Sequence, residues 1–325
     1  MTDRALVVTA HGDRDVLAVR PHTVPTPGPG EVTVAVEAAG VNFIDVYQRE
    51  GRYPNPTPFV LGSEGSGVVS AVGPDVEDVA VGDRVAWAMT LGSAATRAVV
   101  PAAQLVPVPT GLSGEHAAAV MLQGMTAHYL VTDTYAVRPG TWALVHAAAG
   151  GVGQLLTQLI TSRGGRVVAT AGTDDKCTLA RDRGAEVAIN YTRVENLAAA
   201  VRSAVGGAGV DVVYDGVGAS TFEASLDSLR PRGMLALFGA SSGPVPPFDL
   251  QRLNAKGSLF LTRPSLAHYI AGREELLRRG REVLSAVADG TLHVEIGGRY
   301  PLEEAAGAYE ALESRSSTGK LLLLP

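Results

Sequence analysis

The first third of the chain alternates between short apolar runs and clusters of turn residues. Apolar or β-branched runs occupy residues 5–9, 32–37, 67–72, 84–87 and 98–100, and groups of three prolines interrupt the connections near residues 25–29 and 54–58. Runs of this length, bounded by Gly, Pro, Asn and Asp, are typical of β-strands. Residues 1 to about 110 are therefore predicted to form a compact β-barrel or β-sandwich.

A helical segment is predicted to follow. Ser113 is suited to cap a helix that runs through residue 122, and a further helical stretch is predicted from Met125 to about Thr132. This helical segment and the segment around Pro264 are the predicted crossings between two domains.

Beyond residue 141, strands and amphipathic helices alternate. Strands are predicted from 142 and at 166–170, 186–189, 210–214, 234–238 and 257–262, with helices from 154 and near 174–183, 194–205 and 220–229. Successive βα units build a parallel sheet with helices on both faces, so the predicted class is α/β with a doubly wound parallel sheet. Helices at 273–288 and 302–314 and a strand at 319–324 complete the chain.

A glycine-rich turn separates the strand that begins at Trp142 from the helix that follows it. The pattern A-x-x-G-G-x-G places Ala147, Gly150, Gly151 and Gly153 in this turn. A turn with little side-chain bulk lets a pyrophosphate approach the backbone, and the helix N-terminus supplies free N–H donors and the positive end of the dipole. The sequence therefore predicts a dinucleotide site.

The second strand of this domain indicates which dinucleotide is bound. An Asp or Glu about 20 residues beyond the first glycine would accept hydrogen bonds from the 2′-hydroxyl of NAD. Here the strand ends in Thr170, Ala171, Gly172 and Thr173 without a carboxylate, and Lys176, one of three lysines, follows. Asp174 and Asp175 are expected in the first turn of the next helix, where the dipole favours them. The pattern favours NADPH over NADH, with a solvated Lys176 as the alternative.

Composition excludes several classes of protein. The 325 residues are 46% hydrophobic and 18% charged, which suits about two globular domains. The net charge of −6, without a basic patch, argues against nucleic-acid binding. No signal peptide or apolar run long enough for a membrane helix is visible. Cys177 is the only cysteine, so no intrachain disulfide can form. This suits a reducing compartment and predicts a cytoplasmic protein.

Short motifs along the whole chain form a recognisable set: AGVNFID at 39–45 with Tyr47, LGSEGSG at 61–67, VGDRV at 81–85, QGMT at 123–126, HAAAGGVG at 146–153, INY at 189–191, VYDGVG at 213–218, LTRPS at 261–265, Ser314 with Arg315, and Gly319 with Lys320. With these motifs the chain resembles one family, the zinc-independent quinone oxidoreductases of the medium-chain dehydrogenase/reductase superfamily, which include zeta-crystallin. The resemblance implies a GroES-like catalytic domain at 1–122 and 264–325, and a Rossmann NADPH-binding domain at 123–263.

The resemblance also implies the site residues. Zinc-dependent relatives carry Cys and His where this chain has Asn42 and Ser63, so no metal is expected. Asn42 and Tyr47 are the expected hydrogen-bond donors to a reduced oxygen; the alternative is that Asn42 satisfies backbone groups and Tyr47 packs on the barrel. The expected cofactor contacts are Thr126, Gly150, Gly151, Val152, Gly172, Thr173, Lys176, Tyr191, Phe238, Gly239 and Arg315. His146, just before the glycines, is interpreted as structural.

Three functions remain open at this point. The first is NADPH-dependent reduction of small quinones, and the second is reduction of α,β-unsaturated ketones or aldehydes. The third is a non-catalytic role in binding NADPH or RNA, against which the acidic balance counts. The resemblance further implies a homodimer that pairs Rossmann edge strands, for which residues 257–262 are the candidate.

Overall fold

The computed structural model describes residues 2–314 and 317–325. The strands are β1 Arg4–Val8, β2 Leu17–Pro21, β3 Glu31–Val41, β4 Phe59–Val60, β5 Glu64–Val72, β6 Arg84–Ala88, β7 Arg97–Pro101, β8 Val106–Pro107, β9 Trp142–Val145, β10 Arg166–Ala171, β11 Val187–Asn190, β12 Val210–Asp215, β13 Leu229–Leu237, β14 Phe260–Thr262, β15 Ile296–Pro301 and β16 Lys320–Leu324. The α-helices are α1 Phe43–Arg49, α2 Gly114–Tyr129, α3 Gly151–Thr161, α4 Asp174–Asp182, α5 Leu197–Ala204, α6 Phe222–Ser228, α7 Gln251–Ala255, α8 Leu266–Tyr269, α9 Arg273–Ala288 and α10 Ala305–Glu313. Short 3₁₀ turns occupy Arg14–Val16, Ala102–Gln104, Tyr191–Arg193 and Leu302–Glu304, and a π-helical turn follows α2 at Leu130–Thr134.

The chain divides into two compact units. Unit 1 comprises Met1–Met125 and Tyr269–Pro325, and unit 2 comprises Thr126–His268. The division falls at 125/126 and 268/269, where the sequence predicted 122/123 and 263/264. Among the described helices, none is long and apolar enough to cross a membrane.

Unit 1 is built on β-sheets. Its larger sheet has the order β15-β16-β3-β5-β6-β8, with β7 also paired to β3, and a smaller sheet has the order β2-β1-β4. The central strand β3 pairs antiparallel with β5, β7 and β16. Val32 and Val34, two residues apart and therefore on one face, are fully buried with Trp87 and Val100. The β-rich fold predicted for the first 110 residues is confirmed.

Unit 2 contains one parallel sheet. Its order is β11-β10-β9-β12-β13-β14, and all neighbouring strands are parallel. The middle strands are apolar along their length because helices cover both faces: Ala143, Leu144 and Val145 of β9 are all fully buried. This is the doubly wound α/β fold that the alternating pattern predicted. The order turns back between β9 and β12, which are neighbours although β10 and β11 come between them in sequence.

Some element boundaries differ from those predicted. The two helical stretches expected at 115–122 and from 125 form one helix, α2, in which Gly124 is close-packed: a Cβ there would lie 2.5 Å from Val283 and 2.7 Å from Val120. The helix expected from 194 begins at Leu197, after the short turn Tyr191–Arg193. β13 begins at Leu229, five residues before the predicted strand, and β14 is limited to Phe260–Thr262.

Candidate active site and cofactor site

The glycine turn of unit 2 joins β9 to α3. Gly150 is the N-cap of α3, and no side chain caps this helix. Ala147 has a φ of 49°, and a Cβ on Gly153 would lie 2.4 Å from the Ala147 carbonyl oxygen, so the turn requires glycine at 153. The backbone N–H groups of Gly151 and Val152 at the N-terminus of α3 are thus the donors that this turn offers to an anion.

The end of β10 forms a second turn. Thr173 is the N-cap of α4, and its hydroxyl accepts the backbone N–H of Lys176 at 3.3 Å. Gly172 lies against Tyr191, since a Cβ on Gly172 would be 2.7 Å from the Tyr191 hydroxyl, and Tyr191 is 44% exposed. The structure therefore brings together four of the residues expected at the adenosine end: Gly172, Thr173, Lys176 and Tyr191.

Asn190 and Arg193, next to this turn, were not predicted from the sequence. Both contact Asp174, which lies with Asp175 in the first turn of α4, as predicted. The Asp174 carboxylate forms an ion pair with Arg193 and accepts a hydrogen bond from Asn190 Nδ2 at 2.8 Å. Its negative charge is therefore partly balanced, which makes the neighbouring turn more favourable for a phosphate. Asn190 and Arg193 flank Tyr191, so the INY motif was the available signal.

A third predicted contact lies where the chain leaves β13, beside the end of β12. Phe238 and Gly239 lie directly beyond β13, and their N–H groups donate to the carbonyl oxygen of Asp215 at 2.9 and 3.3 Å. A Cβ on Gly239 would lie 2.4 Å from the carbonyl oxygen of Gly216, so the two backbone segments touch. Phe238 and Gly239 are thus at the carboxyl end of the parallel sheet, where ligands of doubly wound folds bind.

Thr126 and Arg315 were also predicted to contact the cofactor. Thr126 is 7% exposed and lies in the last turn of α2, and its cofactor contact stays a prediction. Arg315, expected at the 2′-phosphate, lies outside the described residues.

Asn42 in unit 1 is the N-cap of α1 and is 4% exposed. Its Nδ2 donates to Glu64 Oε1 at 2.7 Å and to the carbonyl oxygen of Gly40 at 3.3 Å, and its Oδ1 accepts from Lys320 Nζ at 2.7 Å. Both amide hydrogens therefore have acceptors. A role as donor to a substrate oxygen requires Asn42 to give up one of these bonds, whereas a positioning role follows from the geometry as it stands.

Glu64 and Lys320 form a buried ion pair beside Asn42. Their side chains are 0% and 1% exposed, and Lys320 Nζ donates to Glu64 Oε1. The other carboxylate oxygen of Glu64 accepts the backbone N–H of Leu122 in α2 at 2.7 Å. The pair thus connects β5, β16, α2 and the start of α1 within unit 1.

Tyr47 lies on α1 and is 8% exposed. Its ring meets the ring of Tyr53 edge-on, with 5.6 Å between centroids, and the guanidinium of Arg52 lies 5.5 Å from its centroid. This aromatic packing fixes the ring. It is compatible with either alternative, a packing residue or a donor held in place.

Asp45 is a fully buried carboxyl group on α1. It accepts hydrogen bonds from the Asn42 backbone N–H at 2.9 Å, Ser63 Oγ at 2.8 Å and the Tyr309 hydroxyl at 3.2 Å. Burial raises the pKa of Asp45 to about 6, against the lowering effect of the Ser63 and Asn42 hydrogen bonds. Ser63, which stands at one of the zinc-ligand positions of the resemblance, thus donates to Asp45, and its hydroxyl also lies 3.2 Å from Gln48 Oε1.

No cluster of metal ligands lies among residues 2–314 and 317–325: three or more His, Cys, Asp or Glu side chains nowhere come together in an arrangement that could hold an ion. Cys177 is buried on α4 in unit 2.

Family models match both units. Residues 28–110 match the alcohol dehydrogenase GroES-like domain, and residues 151–285 match the family described as zinc-binding dehydrogenase. A quinone oxidoreductase of Salmonella typhimurium is 45% identical over 97% of both chains. This chain belongs to the quinone oxidoreductase family. It is thereby a member of the medium-chain dehydrogenase/reductase superfamily, and the expected combination of a GroES-like domain and a Rossmann-type domain is confirmed.

Solved members of the quinone oxidoreductase family have the same fold. The Escherichia coli quinone oxidoreductase, complexed with NADPH, is 41% identical with a TM-score of 0.97 and covers 99% of this chain and 100% of its own. A mycobacterial protein complexed with NADPH is 48% identical over the same shares, with a TM-score of 0.96.

A relative with a different substrate is similar in sequence as well. A 2-haloacrylate reductase of a Burkholderia species is 41% identical over 99% of this chain and 98% of its own.

Proposed function

We propose that this protein is an NADPH-dependent quinone reductase that transfers hydride to small quinones without a metal. The observation that carries the proposal is the glycine turn at the uncapped N-terminus of α3, beside a β10 strand that ends without a carboxylate, in a chain of the quinone oxidoreductase family. In this proposal unit 2 is the NADPH-binding domain and unit 1 is the catalytic domain.

The residues of unit 2 fit NADPH. Gly151 and Val152 would hold the pyrophosphate through backbone N–H groups at the N-terminus of α3. Gly150, whose own N–H donates to the Ala147 carbonyl oxygen at 2.9 Å, would contribute a backbone without a side chain that the pyrophosphate can approach. Gly172, Thr173, Lys176 and Tyr191 would hold the 2′-phosphate end. Thr126, Phe238 and Gly239 are assigned to the nicotinamide end, and Arg315 to the 2′-phosphate, on the resemblance alone.

Bound NADPH supplies a hydride, and the quinone also takes up a proton to become a hydroquinone. In unit 1, Tyr47 is proposed to donate a hydrogen bond to the quinone oxygen on which negative charge develops. Asn42 is proposed to support the reaction mainly by position, because its amide is already bonded to Glu64 and Gly40. Hydride transfer then depends chiefly on holding the nicotinamide and the quinone at a reactive distance and orientation.

The first experiment is the initial rate of NADPH oxidation with 1,4-benzoquinone, with a blank that lacks enzyme and with NADH in parallel. An enzyme-dependent rate that is selective for NADPH supports the proposal. Binding of NADPH without a rate on any quinone would contradict it and favour the second candidate, reduction of carbon–carbon double bonds conjugated to a carbonyl. The similarity to 2-haloacrylate reductase is the observation in favour of that candidate, and a panel of enones tests it.

The phosphate site has its own test. Lys176→Ala is expected to weaken NADPH binding at least tenfold while NADH binding changes less than threefold, because only NADPH carries the 2′-phosphate. Lys256→Ala is the matched control, since Lys256 is the other lysine of unit 2 and pairs with Asp227. Equal weakening of both cofactors by Lys176→Ala would refute the assignment.

A homodimer and a cytoplasmic location complete the proposal. β14 is one of the two outer strands of the parallel sheet, and its Phe260 is 57% exposed. A bare apolar edge favours pairing with a second copy. Light scattering of Phe260→Lys should then show a monomer, and an unchanged dimer would exclude this edge.

The proposed location is the cytoplasm. The chain has a single cysteine and therefore cannot form an intrachain disulfide, which suits a reducing compartment.

A further inference from the structure

Four buried polar side chains form a continuous line in unit 2. His146 Nδ1 lies 2.8 Å from Thr170 Oγ1, His146 Nε2 lies 3.0 Å from Ser225 Oγ, and Ser225 Oγ lies 2.7 Å from Asp215 Oδ2. All four are at most 2% exposed. They belong to the carboxyl-terminal ends of β10, β9 and β12 and to α6, so they span the place where the strand order turns back.

The carboxylate at one end sets the direction of every hydrogen bond. Asp215 accepts from the backbone N–H groups of Val217 and Gly218, at 2.8 and 3.0 Å, and from the Thr221 hydroxyl. Surrounded by donors, this carboxylate can only accept from Ser225. Ser225 then has no proton left to give to His146.

The direction of these bonds determines the state of His146. The Ser225 oxygen accepts from His146 Nε2–H, and the unprotonated Nδ1 accepts from the Thr170 hydroxyl. Burial lowers the pKa of His146, against the opposing effect of the Asp215 charge, so the imidazole is neutral. The line is thus a relay of donors that runs from Thr170 through His146 and Ser225 to Asp215.

The relay adjoins the glycine turn, the turn after β10 and the segment after β13, which are assigned to the cofactor. His146 starts the glycine turn, and its backbone N–H donates to Tyr214 at 3.2 Å. The N–H of Ala148, inside that turn, donates to the carbonyl oxygen of Thr170 at 3.1 Å, just before Gly172. Asp215 orders the turn after β12 through Val217 and Gly218, and its carbonyl oxygen holds Phe238.

We infer that Thr170, His146, Ser225 and Asp215 are positioning residues for the dinucleotide, and that the relay holds His146 as the Nε2–H tautomer and fixes the glycine turn relative to its two neighbours. The identity of the dinucleotide rests on the proposed function. The tautomer does not, because it is a property of the protein without ligand.

The test compares Ser225→Ala with Ser228→Ala. Ser228 is the matched control: it is buried on the same helix, and its hydroxyl donates only to the Ala224 carbonyl oxygen of that helix at 2.7 Å. Ser225→Ala is expected to weaken both NADPH and NADH about tenfold, since the loss of one bond in the relay loosens the turns that both cofactors use. It should leave kcat at saturating NADPH within about twofold of the original enzyme, and Ser228→Ala should change neither quantity.

Nitrogen NMR of the imidazoles supplies the second readout. The His146 signals are identified by their loss in His146→Asn, and the ligand-free protein should show a protonated Nε2 and an unprotonated, hydrogen-bonded Nδ1. An Nδ1–H tautomer would overturn the relay. If Ser225→Ala bound both cofactors with the affinity of the wild-type protein, the positioning role would be overturned.

A second variant covers the case in which Ser225→Ala does not fold. Thr170→Val removes only the donor to Nδ1, and it is expected to move the Nδ1 signal and to weaken both cofactors in the same direction. An unmoved Nδ1 signal, or original affinity for both cofactors, in this variant would overturn the inference equally. Failure of the original protein to bind NADPH would refute the proposed function and leave the tautomer result standing.

Discussion

Removal of the Lys320 ammonium should destabilise unit 1 more than any surface substitution of a charge. Lys320→Met keeps most of the side-chain volume but leaves the Glu64 carboxylate, which is 0% exposed, without its cation. Asn42 Nδ2 and the Leu122 backbone N–H would remain as donors to that carboxylate. The Asn42 oxygen would lose its bond to Lys320 at the same time.

The expected cost follows from the burial of both partners. Breaking a buried pair by removal of one charge typically costs about 3–5 kcal/mol, because the other charge stays desolvated. The two hydrogen bonds left to Glu64 compensate part of this loss, so about 3 kcal/mol is expected for Lys320→Met. Glu64→Gln should cost a similar amount, about 3 kcal/mol, because it leaves a buried ammonium. In the double variant neither position carries a charge, and about 2 kcal/mol of the summed loss should be recovered.

Urea unfolding of the unsubstituted protein, the two single variants and the double variant measures these free energies. Trp87 is buried in unit 1 and Trp142 lies in unit 2, so a Trp142→Phe background leaves Trp87 as the reporter of unit 1. Arg97→Met is the control, because Arg97 pairs with Asp3 at 3.5 Å in the same unit while 52% exposed. An exposed pair of this kind is worth about 0–1 kcal/mol.

Two outcomes would refute the reasoning. A loss for Lys320→Met no larger than that for Arg97→Met would mean that burial does not determine the strength of the pair. A double variant as unstable as the sum of the two single losses would mean that Lys320 and Glu64 do not interact energetically.

Two further predictions concern α1. Because burial raises the pKa of Asp45 from 3.8 to about 6, the folded protein holds a proton there that the unfolded chain has lost, so stability should fall by about 3 kcal/mol as the pH rises through that window. Urea unfolding at pH 4 and 7 should show a smaller difference for Asp45→Asn than for the original protein, and an equal difference would contradict the raised pKa. Tyr47→Phe should lower kcat with 1,4-benzoquinone by about tenfold or less, with the Kd for NADPH unchanged, since one donor among several contributions is lost. A loss as complete as omission of NADPH would show that Tyr47 is essential.

The fold was accessible from the sequence because its signals are local. The apolar runs of β9, β10 and β12, each followed by a helix, predict a parallel sheet without knowledge of any distant contact. Boundaries failed where tertiary packing decided them. Gly124 reads as a weak point in a helix, yet the structure packs Val283 against it, 159 positions away in the chain.

The candidate site was accessible only in part, for the same reason. The glycine turn and Lys176 lie within the consecutive elements β9, α3, β10 and α4, so spacing along the chain was enough to group them. Asn42 was named without its partners, because Lys320 is 278 positions away and Glu64 is 22 positions away. The partners of His146 were missed likewise, since Ser225 is 79 positions along the chain. No periodicity of hydrophobic residues encodes such contacts.

Both units contain buried polar groups directly beside the residues proposed for function. In unit 1 the Lys320–Glu64 pair holds Asn42, and in unit 2 Ser225 and Asp215 hold His146. Buried pairs of this kind contribute little net stability compared with apolar side chains of equal volume. Apolar packing, however, leaves an amide or an imidazole free to turn, whereas a carboxylate that accepts a hydrogen bond fixes which atom faces it. We therefore infer that these groups are present for orientation: each carboxylate determines the donor and acceptor positions of the neighbouring side chain.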